Sequence, residues 1–112
     1  MGFFGTTNKV NVIDLDSSEF EKQLKEDKDA VLIDVRTKSE HDEIRIPNSE
    51  LIDIMDPQFS EKIDQLDKTK SYYLYCRSGN RSYHAGRAMI NKGFTKVYNL
   101  EPGIIGWMGE TE

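Results

Sequence analysis

The stretch Ser71-Tyr72-Tyr73-Leu74-Tyr75-Cys76-Arg77-Ser78-Gly79-Asn80-Arg81-Ser82 decides the fold. Its first half is aromatic and aliphatic, the composition of a pleated, buried strand. Its second half is a short polar loop with one glycine, and a helical pattern begins directly after it. The only cysteine of the chain, Cys76, stands where strand meets loop. This order puts a thiol at the carboxyl end of a strand and below the amino end of a helix, where open α/β sheets place their ligand sites.

A loop of this kind turns successive backbone N–H groups inward and forms an anion-binding nest. The unpaired N–H groups and the partial positive charge at the start of the next helix act in the same direction. Arg77 and Arg81 add two full positive charges. A cysteine in such a field has a depressed pKa and is mostly thiolate near neutral pH. The alternative is a small buried hydrophobe, a common fate of an isolated cysteine. Two arginines and a glycine within five residues of Cys76 favour the reactive thiolate.

The segment Tyr75–Ser82, followed by Gly93-Phe94-Thr95-Lys96-Val97-Tyr98-Asn99-Leu100 and Gly103-Ile104-Ile105-Gly106-Trp107, resembles a single-domain rhodanese. The resemblance extends back to Leu32-Ile33-Asp34-Val35-Arg36 with Glu40 after it, and so covers nearly the whole chain. It implies a three-layer α/β fold with a central, mostly parallel five-stranded sheet and helices on both faces. It also implies that Asp34 and Arg36 sit beside the active loop and help to hold it. Four residues separate Cys76 from Arg81. Protein tyrosine phosphatases and the phosphatases related to rhodaneses place their cysteine and arginine one residue further apart, in a wider cradle suited to phosphate. The tighter loop suits a sulfur atom carried on the cysteine. One stretch departs from the family: where rhodaneses commonly carry Gly-His-Ile-Pro-Gly-Ala, this chain has Ile44-Arg45-Ile46-Pro47-Asn48-Ser49. The change from Gly to Asn keeps some tolerance for positive φ, whereas the change from Gly to Ile removes freedom at a turn. Both bear on the local backbone path and on one wall near the site, not on the nucleophile.

At 112 residues the chain forms one domain around a single core. We expect a flexible segment over residues 1–9 and the folded domain over 10–109. The formal net charge of -5 argues against broad binding of nucleic acid or anionic membrane. A local basic site on an acidic protein suggests a small anionic substrate instead. One cysteine allows neither an internal disulfide nor a resolving thiol, and a reducing cytoplasm is the simplest setting. No apolar run approaches the roughly 18 residues of a membrane span, and the amino end lacks a secretory pattern. Met1-Gly2-Phe3-Phe4-Gly5-Thr6 matches the loose pattern for N-myristoylation, which arises often by chance.

Along the chain, strand and helix alternate. Val10–Leu15 alternates apolar and polar residues and predicts an edge strand. Asp16 or Ser17 caps a surface helix that buries Phe20 and Leu24, and Asp16 has Glu19 three residues on, the spacing of a capping box. Ala30–Arg36 is a nearly continuous apolar strand of the kind parallel sheets use, interrupted by Asp34 near its carboxyl end. Asp34 reads as a turn cap or an arginine partner ahead of a catalytic acid. A short helix over Ser39–Glu43 with Ser39 as cap follows, then a short strand over Ser49–Ile54. Phe59, Ile63 and Leu66 predict a helix after Pro57. Ala85, Ala88 and Met89 form the apolar face of the helix behind the loop; Gly86 lets it approach the sheet and Gly93 ends it. Val97 and Tyr98 mark a fifth strand, and Ile104, Ile105 and Trp107 an apolar closing segment.

Other chemistries fit less well. The two histidines, His41 and His84, match no zinc spacing. A protease-like pair of Cys76 with His84 is possible, but the loop amides already supply activation, and His84 reads as a solvated helix residue. The loop has neither the length nor the lysine of a nucleotide-binding P-loop. The expectation is therefore a sulfurtransferase with Cys76 as nucleophile and carrier of a persulfide. Arg77, Ser78, Gly79, Asn80 and Arg81 form its substrate-binding loop, and Asp34 and Arg36 support it. A small anionic sulfur donor and a thiol or protein acceptor are the expected partners, for a monomer with no metal or organic cofactor. A sulfur-carrying or regulatory module with little turnover is the second reading, and a phosphatase or arsenate reductase the third.

Overall fold

The computed structural model describes residues 10–112. The expected flexible segment and the myristoylation pattern lie outside the described residues. Five strands, β1 (Ile13–Leu15), β2 (Ala30–Asp34), β3 (Glu50–Leu51), β4 (Ser71–Tyr75) and β5 (Val97–Leu100), form one sheet in the order β1-β5-β4-β2-β3. Every neighbouring pair is parallel, so the expected mostly parallel sheet is wholly parallel. The helices are α1 (Ser17–Glu26), α2 (Lys38–Glu43), α3 (Phe59–Asp64) and α4 (Asn80–Asn91).

Alternation along β4 divides the core in two. Tyr72, Leu74 and Cys76 point to one face, where they pack with Phe59 and Ile63 of α3 and Ala85 and Met89 of α4. Tyr73 and Tyr75 point to the other, with Phe20 of α1, Leu32, Ile46 and Leu100. This two-residue period sets the chemistry. It sends the Cys76 side chain toward the α4 face, while Asp34, two residues after Leu32, belongs to the opposite face. Gly86 brings α4 down onto the sheet, since a Cβ there would meet Val12 Cγ2 at 2.9 Å and Val97 Cγ1 at 3.2 Å.

The register gathers the polar ends of the strands at one edge. Asp34 pairs with Tyr75, Leu74 with Asn99, and Asn99 with Asp14. Several boundaries differ from the sequence expectations for identifiable reasons. The α2 cap is Thr37 rather than Ser39, in a reciprocal capping box with Glu40. The third strand shrinks to Glu50–Leu51 because Asp53 folds back and accepts a hydrogen bond from Met55 N at 2.8 Å, an Asx-type turn. The first strand keeps only its second half, at the sheet edge as expected. In the departing stretch Asn48 adopts φ 70°, the conformation that an Asn tolerates in place of Gly. The turn is held by Tyr75, whose hydroxyl accepts from Ile46 N at 3.1 Å and meets Ser49 Oγ at 2.9 Å.

Candidate active site

Cys76 leaves the end of β4 at the floor of a loop that closes over its sulfur. Gly79 N lies 3.2 Å from Cys76 Sγ, Ser82 N 3.4 Å and Ser82 Oγ 3.3 Å, and all three can donate to it. The residue is buried, 1 % exposed, so these contacts act in a poorly hydrated pocket. Burial by itself pushes the thiol up. The Ser82 hydroxyl and the backbone N–H groups of Ser82, Ser78 and Gly79 outweigh it, and the net direction is down, toward thiolate.

The loop holds this shape because its carbonyls are committed elsewhere. Ile104 N donates to Cys76 O at 2.9 Å and Ile105 N to Arg77 O at 3.2 Å, both from a 3-10 turn over Ile104–Gly106. With these two carbonyls drawn outward, the N–H groups of Ser78 and Gly79 that follow face the sulfur, the arrangement of a nest. Gly79 caps α4 with φ 94°, and a Cβ there would lie 2.1 Å from Glu101 O. Only glycine fits that position.

The five loop residues expected to bind substrate have different surroundings. Ser78 and Gly79 supply N–H groups to the sulfur, while Asn80 is exposed at the start of α4. Arg77 is exposed and lines a cleft of 460 Å³ with Glu43, Ile44, Ile104 and Trp107. Arg81 is committed to Glu40 of α2 by two bonds of 2.9 Å. The Arg81 guanidinium draws the Glu40 carboxyl down to about 2. Arg81 therefore clamps α2 to α4, with part of its charge spent on Glu40.

Asp34 and Arg36 form a buried ion pair. Asp34 Oδ1 accepts from Arg36 N and Nε at 2.9 Å each, and Oδ2 accepts from Arg36 Nη2 at 2.7 Å. His41 Nδ1 is 2.9 Å from the same Oδ2, and Arg36 Nη2 also donates to Ile44 O at 2.6 Å. Among the described residues no hydrogen bond joins this pair to the loop 76–82. The pair meets α2 through His41, on the helix that also carries Glu40, and Arg36 Cζ lies 5.3 Å from the centroid of the Tyr75 ring. His84, exposed on α4, makes no contact with the sulfur.

Two residues of the site escaped the sequence reading. Ser82 places both its N–H and its hydroxyl on the sulfur. Asn99, buried on β5, accepts from Ser82 Oγ at 2.5 Å and donates to Gly79 O at 3.1 Å. A lone asparagine in the apolar run Val97–Leu100 was the available signal, because a buried amide requires partners. Among the described residues no cluster of three or more His, Cys, Asp and Glu side chains could hold a metal ion.

An all-parallel α/β domain with a buried sulfur ringed by amide donors at its carboxyl edge defines a class of anion-loop proteins built on a cysteine. The chain belongs to the family of the rhodanese-like domain, whose model matches residues 16–110. It is 31% identical over 96 residues to a sulfurtransferase of Allochromatium vinosum, covering 86% of this chain and 88% of that one. It is 29% identical over 111 residues to YrkF of Bacillus subtilis, described as a candidate sulfur carrier protein. That match covers 99% of this chain and 59% of YrkF. The crystal structure of a rhodanese-like domain protein from Staphylococcus aureus superposes with a TM-score of 0.76 at 27% identity, over 88% of this chain and 94% of that chain. The names of these relatives support rhodanese-like sulfur transfer in general. No helix among the described residues is long and apolar enough to cross a membrane.

Proposed function

We propose that this chain is a sulfurtransferase that carries sulfur as a persulfide on Cys76, taking it from a small anionic sulfane-sulfur donor such as thiosulfate. The observation that carries this reading is the convergence of Gly79 N, Ser82 N and Ser82 Oγ on Cys76 Sγ. These fixed donors stabilise the thiolate before attack and an anionic sulfur during it. The thiolate attacks the outer sulfur of the donor, a new Sγ–S bond forms, and sulfite leaves with the electron pair of the broken bond. A thiol or protein acceptor then attacks the outer sulfur and returns the pair to Sγ. Arg77, exposed at the cleft, draws the anionic donor in, and the narrow loop selects a slim sulfur over a phosphoryl group.

Mass spectrometry after thiosulfate treatment tests the reading. The expected product is the protein plus one sulfur atom, reversed by reductant and absent in Cys76→Ser. A wild-type protein that gains no sulfur from any sulfane donor overturns it. The match to YrkF supports a second reading, a carrier that loads sulfur and passes it on only to a partner protein. In that case the protein gains one sulfur but yields no thiocyanate from cyanide above the Cys76→Ser control.

A further inference from the structure

The hydroxyl of Ser82 has one proton and two acceptors. Cys76 Sγ lies 3.3 Å from its oxygen on one side and Asn99 Oδ1 at 2.5 Å on the other. The orientation of the Asn99 amide is fixed by its neighbours. Its Nδ2 faces Asp14 Oδ1 at 2.9 Å and Gly79 O at 3.1 Å, and both of these are acceptors. The amide nitrogen must therefore point at them, which leaves Oδ1 to face Ser82. Asn99 thus touches both flanks of the sulfur cradle without touching the sulfur. It holds the peptide of Gly79 on one side and the hydroxyl of Ser82 on the other. Asn99 is 2 % exposed and Ser82 fully buried, so water does not compete for these groups.

We propose that Asn99 is a positioning residue for Cys76, holding the Gly79 peptide through its carbonyl so that the Gly79 N–H stays aimed at the sulfur. This rests on the reading of Cys76 as the reactive sulfur, and not on which donor or acceptor it uses. The single Ser82 proton is divided between Asn99 Oδ1 at 2.5 Å and Sγ at 3.3 Å, whereas the Gly79 N–H faces Sγ in either charge state. When the Sγ–S bond forms and sulfite departs, the negative charge moves to the outer sulfur and Sγ becomes neutral; attack by the acceptor returns an electron pair to Sγ. Without Asn99 the Gly79 peptide loses its tether, and its N–H loses its aim when Sγ is an anion.

The test is a spectrophotometric titration of the Cys76 thiolate at 240 nm in wild type, Asn99→Leu, Asn99→Thr, Ser82→Ala and the combination Ser82→Ala/Asn99→Leu. Circular dichroism establishes that each variant is folded. The charged groups around the sulfur are Arg77 in the loop, Arg81 on α4, Glu40 on α2, Asp14 on β1 and Glu101 after β5. Arg36 lines the cleft beside the loop with Glu40 and Arg77, and its partners Asp34 and His41 lie behind it. All of these are unchanged in these variants. Asn99→Leu is expected to raise the thiolate midpoint by about one pH unit, the size of one charge-assisted hydrogen bond. Ser82→Ala is expected to raise it by removing one donor, and Asn99→Leu to raise it again in that background, where Asn99 acts through Gly79 alone. Asn99→Thr, which suits a strand and keeps one hydrogen-bonding group, raises it by less; should Asn99→Leu fail to fold, this variant decides. A merely structural asparagine would lower stability and leave the midpoint in place. An unchanged midpoint in folded Asn99 variants, alone or with Ser82→Ala, overturns the proposal. Sulfur loading is followed separately, so a wild type that takes up no sulfur would remove the proposed activity while the midpoints still report on Asn99. If both hold, loading by Asn99→Leu recovers toward the wild-type rate above its raised midpoint.

Discussion

Asp34 is 0 % exposed and its partner Arg36 3 %, so two charges have been taken out of water together. Such a pair adds little over a well-packed apolar pair, yet removing one member leaves the other buried and uncompensated. Asp34→Ala is expected to cost about 3–5 kcal/mol in denaturant unfolding. Because the pair makes no hydrogen bond to the loop 76–82, sulfur loading by the protein that remains folded should stay within a few-fold of wild type. Loss of loading at intact stability would instead put Asp34 in the chemistry. The contrast between these residues and Cys76 shows what a sequence discloses at this scale. Cys76 and Gly79 were legible because a lone thiol at a strand end and a glycine before a helix each have a local cause. Ser82 was not, since its hydroxyl matters only through the helical turn that swings it over a sulfur six positions earlier. Asn99 was harder still, because its partners lie on β1 and at the start of α4.

At the scale of elements, the loop owes its shape to a neighbour distant in sequence. The 3-10 turn after β5 takes the carbonyls of Cys76 and Arg77, and Gly103 is where the turn meets the loop. Gly103 has φ 70°, and a Cβ there would lie 2.1 Å from Arg77 O and 2.5 Å from Ser78 Cα. Gly93 at the end of α4 also has positive φ, 102°, but a Cβ there meets nothing closer than Lys68 Cδ at 3.8 Å. The two positions therefore separate backbone strain from contact. Gly93→Ala is expected to cost about 1 kcal/mol and leave alkylation of Cys76 by iodoacetamide unchanged. Gly103→Ala carries that strain plus a collision with the loop. Its stability should fall further, by on the order of 2–4 kcal/mol, and alkylation at neutral pH should slow as the N–H groups lose their aim. Equal behaviour of the two variants in alkylation would show that the turn does not shape the nest. The longer elements were readable because β2 and β4 are nearly continuous apolar and aromatic runs and α4 keeps an apolar helical face. The ends of β3 and the cap of α2 were not, since Asp53 and the Thr37–Glu40 pair impose local hydrogen bonds that override the apolar pattern.

Over the whole molecule, the two faces of the sheet are built separately and joined at the site by charge. Phe20, Tyr73 and Trp107 close one face through edge-on ring contacts, and Tyr72 with Phe94 closes the other. The bridge from α2 to α4 across the carboxyl edge is the bidentate pair Glu40–Arg81. Its dependence on pH has a definite sign. The Arg81 guanidinium lowers the Glu40 carboxyl from an ordinary 4.5 to about 2. A carboxylate depressed in the folded state contributes stability that is fully present above the unfolded value and is lost as pH falls through the folded one. The window is therefore about pH 4.5 down to 2. Asp27, Asp42, Asp56 and Asp67 are lowered as well, so an acid titration of the wild type alone does not isolate the bridge. The difference between wild type and Glu40→Gln does. Both ends of the pair are about one-third exposed, and solvent screening limits that difference to about 1 kcal/mol at pH 7. It should shrink toward zero between pH 4.5 and 2, as measured by urea unfolding at fixed ionic strength. A difference that stayed constant through that window would mean that Glu40 acts by packing and capping α2 rather than by its charge. In that event Arg81 would be held over the loop by something other than its carboxylate, and its positive charge would be available to an incoming anion.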